Sequence, residues 1–594
     1  MRLFASSLLL ATFLFRQPRN DQSPSAPDMG SPSREILHCD VLIVGSGAAG
    51  LAAAAAATSS QLNTILIEQH SKLGGTTFRS GGTIWMPANF LMHSAEVKNN
   101  HGASDSKDLG AKYILSALEA TQRDKNGDRL LSSPRRIQDF LSQGSDMITF
   151  LRSRGLRWMD SPSSFPDYHP EFKGAWDLGG RTLDPAIFDA ACLGPWAKYL
   201  QLESKGPLVA RFEDFRLLTR PFASVLDFLQ VCWMLLKSKF YSLRYRSPMS
   251  MGRSFIAQLL SVCRQRHEHI RIITDAKLTK LLVQDGIVVG GKVKTSDGKL
   301  EIQSRFGVLL ATAGFARNQE MRDTYLRSGT KIEWSLSVSG GDTGDALRLG
   351  ERVRAESCLL SEVWGIPTMN DPITGDVIEA MFAISKPFSI VVNNKGTRFF
   401  AESSPYGDAV RSMLRQPGGD PRAWLVLDQQ YRQRYTLGNL KPWTNTVLVQ
   451  DGSLLTADSI HDLEDKMGIH NGLLASTIYT WNNMCDDEVD RDYGRGNSNY
   501  QRYIGDPNIK GNSTMGKIQK PPFYAIRIFP GDAGTKGGLR TNKKSRVLGL
   551  DGKVITGLYA AGNASASVFG RTSLAAGVTL LEAIQGSWAA VNDI

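Results

Sequence analysis

The clearest pattern of apolar and polar positions lies near the start of the chain. Residues 41–44 (VLIV) form a continuous apolar run, which is typical of a strand buried on both faces of a parallel sheet. A glycine-rich turn comes next, and the alanine-rich segment 51–58 then predicts a helix. A second apolar strand is predicted over residues 64–67. Strand, tight turn, helix and strand in such quick succession predict a βαβ unit.

The same buried-strand pattern returns far along the chain. Residues 305–314 (RFGVLLATAG) and 557–563 (GLYAAGN) are apolar runs that end in small residues, and a last helix is predicted over 573–590. Strands of one sheet at both ends of the chain indicate one nucleotide-binding domain interrupted by an insert. We predict an α/β fold, with a Rossmann-like domain of the glutathione-reductase type over 36–350 and 521–594, split by an α+β catalytic domain over 351–520.

Two other segments carry apolar stretches. Arg2 precedes the apolar residues 3–15, which are too few to cross a bilayer comfortably, and a Pro/Ser/Asp-rich linker comes after them. Residues 1–35 are therefore predicted to be a signal-like or anchor-like segment, with a disordered start as the alternative. If residues 2–16 act as a targeting or anchoring segment, we expect the protein to be membrane-associated or to enter the secretory route. Otherwise we expect it to be cytoplasmic.

The second apolar stretch is a predicted helix over residues 221–245. Its apolar side chains fall on one stripe, and basic side chains cluster at its end. This pattern is typical of a docked surface helix or of an interfacial helix that sits on a membrane and admits an apolar substrate. The stripe consists of Val225, Phe228, Leu229, Trp233, Leu236 and Phe240, and the basic cluster of Lys237, Lys239, Arg244 and Arg246.

Composition narrows the classes of function. The 594 residues exceed what one hydrophobic core usually supports, so at least two domains are expected. The formal charge is +11, but without a run of five basic residues we expect no nucleic-acid partner. The six cysteines are scattered without a CxxC motif, and the nine histidines show no HExxH motif, so neither a disulfide scaffold nor a metal site is predicted.

The turn after the first strand carries the most specific chemistry. It reads GSGAAG over residues 45–50, a GxGxxG motif between a strand and a helix. Gly45 permits the tight turn, Gly47 lets backbone N–H groups approach a pyrophosphate, and Gly50 lets helix and strand pack closely. Glu68 is placed to accept hydrogen bonds from ribose hydroxyls, which favours FAD or NAD over NADP. The predicted phosphate-binding residues are Gly45, Gly47, Ala48, Ala49 and Gly50.

The segment after Glu68 favours FAD over NAD. Two clusters of glycines and hydroxyl side chains come soon after the second strand, and small residues there suit a flat flavin that runs along the chain. A plain glycine-rich loop is the alternative. The predicted flavin-side residues are Gly74, Gly75, Thr76, Thr77, Ser80, Gly81 and Gly82.

Several longer motifs together resemble a known flavoprotein family. They are 41–54 (VLIVGSGAAGLAAA), 74–87 (GGTTFRSGGTIWMP), 309–315 (LLATAGF), 339–346 (SGGDTGDA), 534–542 (GTKGGLRTN) and 557–567 (GLYAAGNASAS). The chain from about residue 38 onward resembles the FAD-dependent family of fumarate reductases and 3-ketosteroid Δ1-dehydrogenases. The ketosteroid branch fits best, on 165–168 (FPDY), 403–408 (SSPYGD), 521–525 (PPFYA) and 570–577 (GRTSLAAG).

The resemblance implies a cofactor and further residues around it. FAD is expected to be bound non-covalently, because covalent members place a histidine near the glycine cluster and this chain has TTFR at 76–79. The substrate is expected to lie over the flavin, between the FAD domain and the insert. The further cofactor-binding residues implied by the resemblance are Ala313, Gly314, Asp345, Gly562, Asn563 and Leu574.

The resemblance also implies a reaction, the desaturation of a 3-ketosteroid or related terpenoid or cyclic ketone. A base takes a proton next to the ketone while hydride leaves the neighbouring carbon for flavin N5, and an external acceptor reoxidises the flavin. Tyr406 matches the proton-abstracting tyrosine, Tyr168 the tyrosine that supports it, and Gly577 the glycine whose N–H holds the ketone oxygen. A free tyrosine titrates near 10, so Tyr406 requires activation by its surroundings.

Ser573 departs from the pattern of the ketosteroid branch. Counting along 570–577 places this serine where the family has a second ketone-binding tyrosine. Loss of one such donor costs about 100- to 1,000-fold in rate. The substrate then sits deeper, or Arg571 or Thr572 compensates, or the reaction has changed.

Alternatives remain open at this point. Tyr406 and Tyr168 are also consistent with core tyrosines, and Ser573 with the N-cap of the last helix. For the whole protein, the alternatives are an alkene reductase of the fumarate-reductase type, or a flavin-binding protein with reduced or altered turnover.

Overall fold

A computed structural model describes residues 35–92, 104–121, 132–201, 208–327, 329–416, 420–444, 452–470 and 472–594. The segment predicted to be signal-like or anchor-like lies outside the described residues, apart from its last residue. In the part of the chain that the structure describes, no helix combines the length and the apolar character needed to span a membrane.

The first of two large sheets has a parallel centre. Glu35–Val44 pairs in parallel with Thr64–Ile67 on one side and with Gly298–Leu310 on the other. The sheet thus joins strands from the start, the middle and the end of the chain. Its spatial order is Arg546–Leu548, Val554–Ala560, Gly298–Leu310, Glu35–Val44, Thr64–Ile67 and Ile270–Ile273, with Lys277–Gln284 and Ile287–Thr295 added beside Gly298–Leu310.

The second sheet is antiparallel and built from the later part of the chain. Its order is Val377–Glu379, Val363–Asn370, Phe523–Thr535, Ala423–Leu427 and Ser389–Val392, with Leu455–Ala457 also paired to Phe523–Thr535. The strand Phe523–Thr535 lies C-terminal to the predicted boundary at residue 520, yet it pairs within this sheet. The architecture is mixed α/β, and the exact domain limits stay a prediction.

The helices and small sheets pack around these two sheets. The α-helices are Ala48–Ser59, Lys107–Thr121, Pro134–Ser153, Asp214–Leu218, Val225–Arg244, Met251–Arg264, Gln319–Tyr325, Asp345–Glu351, Met381–Ile384, Tyr406–Leu414, Gln429–Arg434, Ile460–Met467, Leu473–Asp486, Asn499–Ile504 and Val578–Val591. Short 3₁₀ segments cover Gly75–Arg79, Ala190–Tyr199, His267–His269, Ile332–Trp334 and Gly562–Ala564. Two-residue strand pairs join Ile84–Trp85 to Thr182–Leu183, Phe188–Asp189 to Pro248–Met249, and Ser357–Cys358 to Gly538–Leu539.

The alanine-rich helix Ala48–Ser59 lies in the centre of the largest core. It packs against the helices Val578–Val591 and Met251–Arg264 as well as the parallel sheet. Its alanines are almost completely buried, which explains why the segment shows no polar face. Small side chains allow the close approach of helix and sheet at native packing density.

The predicted last helix begins later than expected. It spans Val578–Val591 rather than starting near residue 573, and its N-cap is Gly577 with φ of 99°. The N-cap interpretation of Ser573 is therefore wrong. Glycine adopts this left-handed conformation without steric cost, so it can turn the chain into the helix where serine would be strained.

Candidate active site

One long cavity connects the glycine-rich turn to the predicted tyrosine pair. Its volume is about 1860 Å³ when counted out to its open mouth. The predicted residues that line it are Gly45, Gly47, Ala48, Ala49, Glu68, Gly75, Thr76, Thr77, Ser80, Gly81, Gly82, Ala313, Asp345, Gly562, Asn563, Tyr406 and Gly577. Residues from both halves of the split first sheet therefore meet around one volume.

The glycine-rich turn is shaped by backbone contacts that larger residues would break. A β-carbon added at Gly50 would come within 1.8 Å of the Gly45 carbonyl oxygen, so Gly50 packs the turn rather than facing the cavity. Gly47 differs, since an added β-carbon would meet only Thr77 Oγ1 at 3.8 Å. The space beside Gly47 is the open space that a pyrophosphate needs next to a helix N-terminus.

Glu68 is fixed at the end of its strand. Its Oε2 accepts hydrogen bonds from Ser46 N at 3.0 Å and Ser46 Oγ at 2.6 Å, and its Oε1 accepts one from His70 N at 3.0 Å. A carboxylate held in this way is oriented in advance for ribose hydroxyls. Ser46 and His70 also line the cavity, and neither was predicted from the sequence. The sequence held a signal for each residue, since Ser46 lies inside the glycine motif and His70 lies two residues after Glu68.

Two residues that line this end of the cavity each carry a buried polar atom without a protein partner in the described part of the chain. His70 Nε2 and Thr312 Oγ1 are buried and make no hydrogen bond within the structure, although their residues line the cavity. Buried polar atoms are normally satisfied, so these two indicate a polar ligand. A glycine cradle, a fixed carboxylate and uncommitted polar atoms together fit a dinucleotide such as FAD.

Four predicted cofactor residues lie behind the cavity wall. Besides Gly50, the Gly74 N–H donates to Ser46 Oγ at 3.1 Å, and Gly314 packs against Thr535. Leu574 uses its carbonyl oxygen to accept hydrogen bonds from Tyr168 N and Tyr113 Oη, each at 2.9 Å. These residues support the site through packing and backbone hydrogen bonds, and they do not form its surface.

The opposite end of the cavity carries the predicted tyrosine pair. The Tyr168 hydroxyl donates a hydrogen bond to the Tyr406 hydroxyl at 2.8 Å, and the two rings are 5.1 Å apart in an edge-to-face arrangement. Tyr406 lines the cavity, whereas Tyr168 is 1% exposed and lies behind it. The structure thus joins two tyrosines that are 238 residues apart in sequence.

The environment of Tyr406 only partly favours its ionised form. Burial raises the pKa of Tyr406 to about 12, while the hydrogen bond from Tyr168 acts in the lowering direction. Tyr406 is the first residue of the helix Tyr406–Leu414, where the helix dipole also favours a negative charge. The activation that a base requires is therefore only partly built into the protein without its ligands.

Two further groups surround the pair, and neither was predicted from the sequence. Tyr500 packs on Tyr168 with ring centres 4.6 Å apart, and its fully buried hydroxyl has no hydrogen-bond partner among the residues that the structure describes. Glu379 lines the cavity, and burial raises its pKa to about 7. Neither residue belongs to a recognisable motif, since each is a single side chain on a short element.

Ser573 does not reach the cavity. It is 6% exposed, and its Oγ would lie 3.0 Å from a β-carbon added at Gly407. Its backbone carbonyl oxygen is 3.1 Å from His169 Nε2. Arg571 and Thr572, the predicted substitutes, do not line the cavity either. Within the 570–577 motif, the cavity is lined by its last two residues, 576 and 577.

The fold and the site together define a dinucleotide-binding oxidoreductase whose cofactor cavity ends at a pair of hydrogen-bonded tyrosines. The FAD binding domain family matches residues 40–580 of the chain. The chain belongs to this family and is an FAD-dependent oxidoreductase.

Individual relatives support the same assignment. The 3-oxosteroid 1-dehydrogenase of Mycolicibacterium smegmatis is 35% identical over 575 residues, which cover 93% of this chain and 97% of that protein. The 4-oxocyclohexanecarboxylate 2-dehydrogenase of Sinomonas cyclohexanicum is 29% identical over 564 residues, covering 91% of this chain and 90% of that protein. The 3-ketosteroid delta1-dehydrogenase of Sterolibacterium denitrificans, solved with 1,4-androstadiene-3,17-dione, superposes with a TM-score of 0.84 at 30% identity, covering 94% and 99% of the two chains.

Proposed function

We propose that this chain dehydrogenates a 3-ketosteroid or a related cyclic ketone by desaturating the bond next to the ketone. The observation that carries the proposal is the Tyr168–Tyr406 hydrogen bond at the end of a cofactor cavity. The names of the relatives support the substrate class, and they range from 3-oxosteroids to a single six-membered cyclic ketone.

In this proposal each end of the cavity has one task. Gly47 and its neighbours would hold the pyrophosphate of a non-covalently bound FAD, Glu68 would hold its ribose, and Ser80, Gly81 and Gly82 would contact its flavin part. The bound FAD would supply two-electron oxidising chemistry. The split domain over 36–350 and 521–594 would hold it, and the insert over 351–520 would close over the substrate.

The residues of the chain supply the proton chemistry. Tyr406 takes a proton from the carbon next to the ketone, and Tyr168 stabilises the resulting charge distribution by donating to the Tyr406 oxygen. The N–H of Gly577 would hold the ketone oxygen, where negative charge develops as the proton leaves. Because Ser573 lies outside the cavity, this oxygen has one fewer side-chain donor than the family pattern provides.

The direct test is anaerobic bleaching of the flavin absorbance. The purified protein is mixed with 4-androstene-3,17-dione, with bulkier 3-ketosteroids and with 4-oxocyclohexanecarboxylate. Rapid bleaching by a cyclic ketone supports the proposal, and the most effective compound defines the size of substrate. A yellow protein that none of them bleaches, but that is reoxidised by fumarate after chemical reduction, would show alkene reduction instead.

We further propose that the helix Val225–Arg244 contacts an anionic membrane surface. One face docks on the protein through Asp227, Val231, Met234 and Ser238, where Arg220 forms an ion pair with Asp227 at 3.2 Å. The opposite face leaves the predicted apolar stripe in solvent, with Val225 77%, Trp233 68% and Leu236 64% exposed. A continuous stripe of exposed large apolar side chains is characteristic of an interaction site.

Charge and position favour a membrane as the partner of this helix. The basic cluster Lys237, Lys239, Arg244 and Arg246 is exposed beside the apolar stripe, and it matches anionic lipid headgroups. The neighbouring segment carries Phe212, which lines the cavity. A helix resting on lipid there would let an apolar ketone pass from the bilayer toward Tyr406.

Sedimentation with vesicles tests this contact. The protein should bind vesicles that contain phosphatidylserine, and binding should weaken at high salt. The double variant Trp233→Ser, Leu236→Ser should lose most of the binding while its flavin is still bleached by a water-soluble ketone. Equal sedimentation of the wild type and this variant would show that the helix has another partner.

A further inference from the structure

Glu379 places an uncommitted carboxyl group in the cavity beside the tyrosine pair. It is the last residue of the edge strand Val377–Glu379 and pairs in register with Thr368. Within the described residues its side chain has no hydrogen-bond or ion-pair partner, unlike Glu68, which Ser46 holds, and Asp345, which Lys277 holds at 2.9 Å. A partly buried carboxyl group without a partner is costly, and such groups mark functional positions.

The Tyr406 hydroxyl needs an acceptor for its own proton. It already accepts a hydrogen bond from Tyr168, so its O–H points elsewhere, and the described part of the chain offers it no hydrogen-bonded acceptor. Since burial raises the pKa of Tyr406 to about 12, this hydroxyl is protonated at neutral pH. A neutral phenol can take a proton from carbon only if its own proton leaves at the same time.

The route through Tyr168 is closed. Tyr168 is 1% exposed, and its ring is enclosed by Phe165, Tyr406 and Tyr500. Its hydroxyl proton is committed to Tyr406, and the neighbouring Tyr500 hydroxyl is itself buried. The proton must therefore leave Tyr406 on the cavity side. There Glu379 lines the same cavity as Tyr406, and Met381, two residues further along the chain, belongs with Tyr500 to the apolar cluster against which Tyr406 packs.

We propose that Glu379 is the proton acceptor for Tyr406, and this inference rests on the proposed role of Tyr406 as the base. As the C–H bond next to the ketone breaks, its proton forms a new O–H bond on Tyr406. The original Tyr406 O–H breaks, and that proton passes through a water molecule in the cavity to a carboxylate oxygen of Glu379. The electron pair of the C–H bond remains on the substrate as the enolate, and the protonated carboxyl group releases its proton to solvent at the cavity mouth.

Hydrogen–deuterium exchange isolates this step from electron transfer. The holoenzyme is reduced with dithionite, so that no electrons can leave the substrate, and is mixed in D₂O with 4-androstene-3,17-dione. Deuterium incorporation next to the ketone, measured by mass spectrometry, then reports proton transfer alone. We expect Glu379→Gln to slow this exchange at least about tenfold, within the range of proton-transfer contributions. Glu379→Asp should recover part of the rate.

Controls separate the relay from folding and from the proposed function. Asp376 lies in the same hairpin as Glu379 but does not line the cavity. The Asp376→Asn variant should therefore exchange deuterium at the wild-type rate. Glu379→Ala should recover exchange when acetate is added, which a merely structural role would not produce. If Glu379→Gln exchanges like the wild type, Tyr406 passes its proton directly to water and the inference is wrong. If Tyr406→Phe also exchanges normally, the proposed base itself is wrong.

Discussion

The two ends of the cavity are built in different ways. At the cofactor end, the glycine-rich turn and Glu68 come from one short stretch of chain, and the carboxylate is fixed by three hydrogen bonds from Ser46 and His70. The tyrosine end is made of side chains from distant segments, and Tyr500 and Glu379 there lack hydrogen-bond partners in the described residues. At the cofactor end the carboxylate of Glu68 is therefore oriented before a ligand binds, whereas at the tyrosine end the carboxyl group of Glu379 stays available for a reaction.

This contrast bears on the stability of the fold as well as on the reaction. Satisfied polar groups stabilise a fold, and unsatisfied buried ones destabilise it by about 1–3 kcal/mol each. Both ends of the cavity carry such groups, His70 Nε2 and Thr312 Oγ1 at the cofactor end and the Tyr500 hydroxyl beside the tyrosine pair. If this division is real, single substitutions should damage one end and leave the other intact.

The largest expected effect is at the tyrosine end alone. Tyr406→Phe should lower the rate of flavin reduction by about 10²- to 10⁴-fold, because the general base is lost. The FAD content should stay unchanged, since Tyr406 is remote from the glycine-rich turn. The matched control is Tyr431→Phe, which removes another buried tyrosine hydroxyl, bonded to the Ala383 carbonyl oxygen at 3.1 Å. Stopped-flow bleaching measures both, and equal rates for the two variants would remove Tyr406 from the mechanism.

The converse effect is expected at the cofactor end. Gly47→Ala should weaken FAD binding by about 10- to 100-fold, the cost of one or two charged hydrogen bonds that the added methyl group displaces. The fold should tolerate it, because the nearest atom to the new β-carbon is 3.8 Å away. The amount of FAD retained after gel filtration measures the loss of binding, and the melting temperature of the apoprotein measures the stability of the fold. A variant that binds FAD normally would show that the pyrophosphate lies elsewhere.

The pH dependence gives a finer distinction between the two ends. Burial raises the pKa of Glu379 to about 7, and the protonated acid cannot accept a proton. The rate of flavin reduction should therefore fall about tenfold per pH unit below 7 and level off above it. Tyr406 and Tyr500, which feel the charge of Glu379, stay protonated throughout because burial raises the pKa of both. If the Glu379→Gln variant shows the same dependence of rate on pH, the fall below pH 7 does not come from protonation of Glu379.

The smallest effect is expected at Ser573. Ser573→Ala should change the rate of flavin reduction by no more than about threefold, because the hydroxyl does not reach the cavity and acts on no oxyanion. The carbonyl oxygen near His169 is retained in the variant. A loss of 100-fold or more in the same stopped-flow assay would show that the serine does replace the family's second tyrosine.

The sequence predicted the βαβ unit at the cofactor end because local backbone geometry depends on neighbouring residues. Gly45, Gly47 and Glu68 lie within one βαβ unit, and their spacing alone implies how strand, turn and helix meet. The strand Thr64–Ile67 was predicted with its observed limits, and the split first sheet was predicted from apolar runs at both ends of the chain.

The tyrosine end could not be predicted from local pattern. Tyr168 and Tyr406 were named through the family resemblance, whereas Tyr500 and Glu379 were missed because tertiary packing alone brings them to the pair. The start of the last helix was misplaced for another reason. Residues 573–576 have helical composition, but the turn at Gly577 delays the helix to Val578.

The split first sheet also governs the order in which the protein can be assembled during synthesis. Gly298–Leu310 pairs on one side with Glu35–Val44, which is made earlier, and on the other with Val554–Ala560, which is made much later. Ile287–Thr295 pairs only with residues 298–303 of this central strand, so residues 308–310 keep an unpaired edge until the ribosome has released those later residues. Until then Gly562 and Gly577 are also missing from the cavity wall. Unpaired edges on incomplete chains are prone to aggregation. The cofactor cavity can therefore be completed only after residue 583 has been made, and the nascent chain must keep this edge protected until Val554–Ala560 has paired with it.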